Sequence, residues 1–142
     1  MGNSRLLTSI EKFFEIDLRD ELAFFNPTAK AGELFEIPVL NSQATVDRLY
    51  LVGLGDHSLS ALRSAGAALG RKVRGKAVEL VSLCADSKSE IRAHGVSILL
   101  GAYSWNLKTG KTSEIATVAI ATKDSGAVAE AAILARALYK AR

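Results

Sequence analysis

The sequence predicts an α/β fold, three layers deep, with a mixed and mostly parallel sheet between helices. Three observations predict it. Residues 48–73, RLYLVGLG running into SLSALRSAGAALGRKV, read as a buried strand, a tight glycine loop and an amphipathic helix. From residue 48 onward, apolar strand-like runs alternate with helix-period segments, the pattern of a parallel sheet with right-handed crossovers. The run Ala116–Ala121 is short, apolar and partly β-branched, as a central strand should be.

The elements follow in order. Phe13–Leu18 and Leu22–Phe25 read as short strands and Leu34–Leu40 as another, with Gly32 marking a turn. Pro27 and Pro38 push these segments to strand ends or to a sheet edge, which predicts an antiparallel or mixed margin. The strand at 48–54 is bounded by Gly53 and Gly55. In the helix over 58–73, Leu59, Leu62, Gly66, Leu69 and Val73 recur at steps of three and four, the stripe of a helix lying on a sheet. Asp56 or Ser58 supplies its cap. A strand at 77–84 leads to a helix over 87–103, and a strand at 114–122 leads to an alanine-rich helix from 126 to the end, capped by Asp124 or Ser125. No repeat or linker interrupts the chain, so residues 1–142 are expected to form one domain, with 1–12 a flexible or appended tail. The last helix meets no C-cap glycine before Ala141-Arg142, which predicts a longer parent protein.

Composition narrows the function classes. Of 142 residues, 49% are apolar and 23% charged, enough for a packed core. No apolar run approaches the roughly 20 residues that span a bilayer, and no secretory signal opens the chain. A single cysteine, Cys84, sits in the apolar run VELVSLC and fits a buried thiol in a reducing cytoplasm. The net charge of +3 is unevenly spread. Residues 1–47 carry four basic and eight acidic side chains, and residues 48–142 carry fourteen and seven. The densest cations, Arg71, Lys72, Arg74 and Lys76, lie where a helix ends and complement its dipole; a nucleic-acid contact is the alternative reading.

The chemistry-bearing residues do not converge. The loop Gly53-Leu54-Gly55-Asp56-His57-Ser58 is a partial dinucleotide fingerprint with Ser58 in place of its third glycine. It also lacks the ribose-binding acid about 20 residues on. Gly53, Gly55, Asp56 and Ser58 are therefore candidates for an anion or nucleotide loop, with a tight strand-to-helix turn as the simpler reading. His57 and His94 fall in separate units, His57 as a loop residue and His94 as a packed or capped imidazole. No metal-ligand motif is present, and Ser58 and Ser104 have no histidine–acid partner in sequence. Tyr103 and Trp105 are expected to cover the end of the second helix or an interface.

The order LYLVGLG, LRSAGAALGR, HGVSILLGAYSW and an alanine-rich helix ending Ala141-Arg142 resembles the N-terminal domain of leucyl aminopeptidases, the cytosol aminopeptidases. AKAGELFEIPVL is similar to that family's segment around a Gly-Glu step. The resemblance covers residues from about 30 to 142 and implies a macro-domain-like sheet flanked by helices. It implies a parent that is a cytoplasmic two-metal exopeptidase, with zinc or manganese ions, a preference for N-terminal leucine and a hexameric assembly. The family's metal ligands and its NTDAEGR signature lie in a C-terminal catalytic domain. No catalytic or metal-binding role therefore passes to a residue here, and the domain's expected task is assembly with its catalytic domain and sister subunits. Alternatives are a macro-type ADP-ribose or nucleotide module at Gly53–Ser58, a DNA-contacting domain at Arg71–Lys76 and, less well supported, a dehydrogenase domain.

Overall fold

The computed structural model describes residues 4–40, 45–103 and 116–140. Expectations for Ser104, Trp105, residues 114–115 and Ala141-Arg142 fall outside the described residues. The fold is mixed α/β, in the order α1 (Ser4–Phe14), α2 (Leu18–Phe25), β1 (Leu34–Pro38), β2 (Arg48–Val52), α3 (Leu59–Val73), β3 (Glu79–Ser82), α4 (Lys88–Ala102), β4 (Thr117–Ile120) and α5 (Ser125–Lys140). The described strands make two pairs, β1 with β2 and β3 with β4. The chain divides into two compact units, one of Met1–Thr28 and Leu34–Leu51, the other of Ala29–Glu33 and Val52–Arg142.

The first unit corrects the reading of the early segments. Phe13–Leu18 and Leu22–Phe25 are not strands: Phe13 and Phe14 end α1, and Leu18–Phe25 is α2. The physical cause is local. The Asp17 carboxylate accepts from the backbone N–H groups of Arg19 at 3.0 Å and Asp20 at 3.2 Å, satisfying donors that a helix start leaves unpaired. Asp20 and Glu21 then favour the positive end of the helix dipole. Leu18, Leu22 and Phe25 recur at helical spacing, and Asn26, in the left-handed region at φ 46°, closes the C-terminus. The adjacent Phe13-Phe14 and Phe24-Phe25 pairs imitate strand-like runs inside that pattern. Phe25 stacks on Phe35 of β1 with ring centroids 4.9 Å apart, and Ile37 is buried. Val39 N–H donates to Asp47 O at 2.9 Å and Gly53 N–H to Glu33 O at 2.7 Å, so β1 and β2 run antiparallel.

From β3 onward the second unit follows the expected alternation, whereas β2, expected as a buried strand of a mostly parallel sheet, pairs antiparallel with β1 and has no buried residue. β3 and β4 pair in parallel, Glu79 opposite Thr117 and Ser82 opposite Ile120, with α4 as the crossover. Ser58 caps α3 by accepting from Ala61 N–H at 3.2 Å. Ser87 and Glu90 form a capping box at the start of α4. Asp124 accepts from Ala127 N–H at 2.9 Å and starts α5. Leu62, Leu69 and Val73 of α3 and Ile98 of α4 are buried, while Ile91 and Val96 of α4 belong to a buried cluster with Ala85 and the alanines of α5. Small residues set the spacing between helices. A Cβ on Gly66 would lie 2.4 Å from His94 O, one on Gly70 would lie 2.2 Å from Ile98 O, and one on Gly101 would lie 2.8 Å from Ala67 O. Residue numbers rise together along both helices, so α3 and α4 lie parallel with their backbones nearly touching. Ala127, Ala131 and Ala135 bring α5 against Ile91 and Val96 in the same way.

Candidate functional site

The glycine loop and the basic cluster both lie in the second unit, at opposite ends of α3. In the loop, four backbone donors are taken up by the chain itself. Gly53 N–H donates to Glu33 O at 2.7 Å, Gly55 N–H to Ala29 O at 2.9 Å and His57 N–H to Leu54 O at 2.9 Å. Ser58 N–H donates to the Asp56 carboxylate at 3.0 Å. In return Gly53 O accepts from Gly32 N–H at 2.9 Å, so segment 29–33 lies along the loop like a short strand. Close approach, rather than an open cradle, explains both glycines. A Cβ on Gly53 would stand 2.1 Å from Lys30 O, and Gly55 has φ 56°, a conformation glycine adopts at little cost.

The electrostatics of the loop point the same way. The Ser58 hydroxyl and N–H hold the exposed Asp56 carboxyl below the usual carboxylate range, so a negative charge already sits at the start of α3. An incoming phosphate would meet that charge and, at Gly53, Gly55, His57 and Ser58, donors already engaged. His57 occupies the left-handed region at φ 60°, and its Nδ1 lies 3.7 Å from a Glu90 carboxylate oxygen. The N–H groups of Asp86 and Ser87, both donating at 3.1 Å, hold Glu90 below its ordinary range. Glu90 is thus held as an anion by the cap of α4.

In the basic cluster, Arg71 and Lys72 occupy the last turn of α3 and Arg74 is its C-cap. The Arg74 guanidinium donates through Nε at 3.0 Å and Nη2 at 2.7 Å to Gly101 O in the last turn of α4. A helix C-terminus leaves its last carbonyls without intrahelical partners, and Arg74 supplies donors to one of them. The arginine therefore fastens the ends of two helices together. Gly75, at φ 70°, then turns the chain and Lys76 N–H returns to Val73 O at 3.1 Å. No sequence signal marks the Arg74–Gly101 contact, because the partners are 27 residues apart.

The buried polar residues were only half visible from sequence. His94 is fully buried, as a packed imidazole should be. Its partners, Ser82 and Leu62 O, come from β3 and α3. Cys84 is partly buried, and burial pushes its thiol up. Among the described residues no three His, Cys, Asp or Glu side chains gather into a group able to hold a metal ion. No helix among them is long and apolar enough to cross a membrane.

These elements can be set beside known proteins. Residues 25–111 match the model of the cytosol aminopeptidase family, N-terminal domain, which is more than half of the chain. The chain belongs to the cytosol aminopeptidase family. The matched part runs from the end of α2 through α4, and so includes the glycine loop, the capped helix starts and the close-packed α3–α4 pair. Among solved structures, the chain is similar to the bottromycin maturation enzyme BotP in complex with Mn, at 26% identity and a TM-score of 0.64. That match covers 82% of this chain and 26% of BotP, so the chain spans about a quarter of the length of that enzyme. None of the curated proteins matches.

Proposed function

We propose that residues 1–142 act as the non-catalytic N-terminal domain of a cytoplasmic, two-metal leucyl aminopeptidase. The observation that carries this reading is the family match over residues 25–111. The likeness to BotP, an enzyme solved with Mn, supports manganese or zinc as the parent's metal. Metal ions in such an enzyme supply a Lewis acid and an activated water for peptide hydrolysis. The described residues of this chain do not fit such ions: its carboxylates and imidazoles are dispersed, and His94 is enclosed by a serine and a carbonyl. In this reading the ligands, and the pocket that selects N-terminal leucine, belong to the catalytic domain.

The task left to this domain is structural. Its glycine loop and basic helix end are engaged in holding its own elements together, through 29–33 and Gly101 respectively. In the parent it stands beside the catalytic domain and contributes contacts between subunits of a homohexamer. The test is hydrolysis of leucine amide with added Mn²⁺. This chain alone is expected to give no turnover above the metal blank, while the protein that includes the catalytic domain turns over. Metal-dependent release of leucine by this chain alone would refute the assignment.

A further inference from the structure

Among the described residues of the second unit the most enclosed polar group is His94, and its surroundings dictate one protonation state. Leu62 O can only accept, so the His94 Nδ1 3.1 Å away carries the proton and donates it. The other nitrogen, Nε2, is then bare and accepts from the Ser82 hydroxyl at 2.9 Å. Cys84 N–H donates to the same Ser82 oxygen at 3.4 Å. The result is a one-way chain of donors, from Cys84 N–H through Ser82 and the imidazole to Leu62 O. It ties β3 and the residue two beyond it to α4 and α3 with every polar atom satisfied.

We propose that Ser82, His94 and Leu62 form an acid-released latch that holds β3 against the α3–α4 pair. A second proton on the imidazole goes to Nε2 and turns it into a donor. Ser82 Oγ then receives two donors, from His94 and Cys84, and its own hydrogen must leave the line between them. A charge also appears where the described residues place no buried counter-charge. On α3, Arg63 and Arg71 are exposed and Lys72 half-buried; on β3, Glu79 is exposed; β4 carries no charged side chain. Lys88 and Arg92 of α4 and Glu130 and Arg136 of α5 are exposed, while Glu90 is engaged by its cap. The titratable neighbour nearest in the chain of bonds is the neutral Cys84 thiol.

The direction of the pH effect follows. Burial lowers the His94 pKa below its ordinary value, against a smaller opposing contribution from Leu62 O. The native state therefore prefers the neutral ring. The stability it confers is complete above the unfolded imidazole value, about 6.5. It is lost as pH falls through the lower folded value.

The experiment is an NMR titration of the full chain carrying His57→Asn, which leaves one imidazole and suits the left-handed backbone at position 57. The latch requires the His94 ring to titrate below 6.5, with the Leu62, Ser82 and Cys84 amide signals moving at the same midpoint. Ser82→Ala removes the partner of Nε2 in both states of the ring and is expected to shift that midpoint. A ring that titrates at about 6.5, amides that do not follow it, or a midpoint unmoved by Ser82→Ala would each overturn the proposal. Should Ser82→Ala fail to fold, the titration of the chain that retains Ser82 decides alone.

Discussion

Gly70→Ala is expected to destabilise the chain by about 3 kcal/mol, the upper part of the usual cost of overpacking a core. The added methyl would stand 2.2 Å from Ile98 O, 2.7 Å from Ala102 N and 2.9 Å from Gly101 C. All three are backbone atoms of α4 or its last turn, so no side chain can swing aside; the helices must separate. Separation loosens the contacts that bury Leu62, Leu69, Val73 and Ile98 and stretches the Arg74–Gly101 bonds at 3.0 and 2.7 Å. Alanine gains about 1 kcal/mol over glycine in an open helix position, which offsets only part of this. Thermal unfolding should show a fall of about 10 °C for a chain of this size. Gly126→Ala is the matched comparison. Its Cβ would meet only Asp124 Oδ1, at 3.4 Å, in the first turn of α5. That substitution is expected to be neutral or to raise the melting temperature slightly.

Gly53→Ala is expected to cost about as much, for a different reason. Its Cβ would lie 2.1 Å from Lys30 O and 3.0 Å from the carbonyl carbons of Ala29 and Lys30. Segment 29–33 would be pushed from the loop. The bonds Gly32 N–H to Gly53 O, Gly53 N–H to Glu33 O and Gly55 N–H to Ala29 O would be lost together. Each leaves groups that had been paired, at about 1 kcal/mol or more apiece. Amide hydrogen exchange at Gly32, Gly53 and Gly55 should accelerate well before global unfolding, while α4 and α5 amides stay protected. Ordinary exchange at those three amides in Gly53→Ala would show that the glycine is not needed for this approach. The same substitution separates two meanings of a glycine-rich turn, because here the group pressed against Gly53 is the protein's own backbone.

How far the sequence could be read depends on how local each cause is. From residue 48 onward the elements were legible because their signals sit within the segment: the stripe from Leu62 to Val73, serine and aspartate caps at Ser58 and Asp124, and the apolar run that becomes β4. In α1 and α2 the signals were also local, but paired phenylalanines imitated short strands, and the Asp17 cap with Asp20 and Glu21 behind it outweighed that impression. The helix α1 also takes in most of the stretch read as a tail.

The candidate site was legible only as positions. Gly53, Gly55, Asp56 and Ser58 do adjoin one another at the start of α3, yet the partners that engage their amides come partly from residues 29–33, over twenty positions earlier. Likewise Arg71, Lys72, Arg74 and Lys76 do end a helix, but the role of Arg74 is set by Gly101. Ser82 carried no signal at all. Its pairing with His94 depends on β3 packing beneath α4, which no short window of sequence contains.

If the domain acts as proposed above, as a scaffold whose parent keeps its metal chemistry elsewhere, this chain holds no Mn²⁺ of its own. Calorimetric titration of Mn²⁺ into the full 142-residue chain tests it most directly. The expected result is no saturable binding up to millimolar Mn²⁺ and no change in melting temperature. One or two ions bound per chain with micromolar affinity, accompanied by a rise in melting temperature, would contradict it.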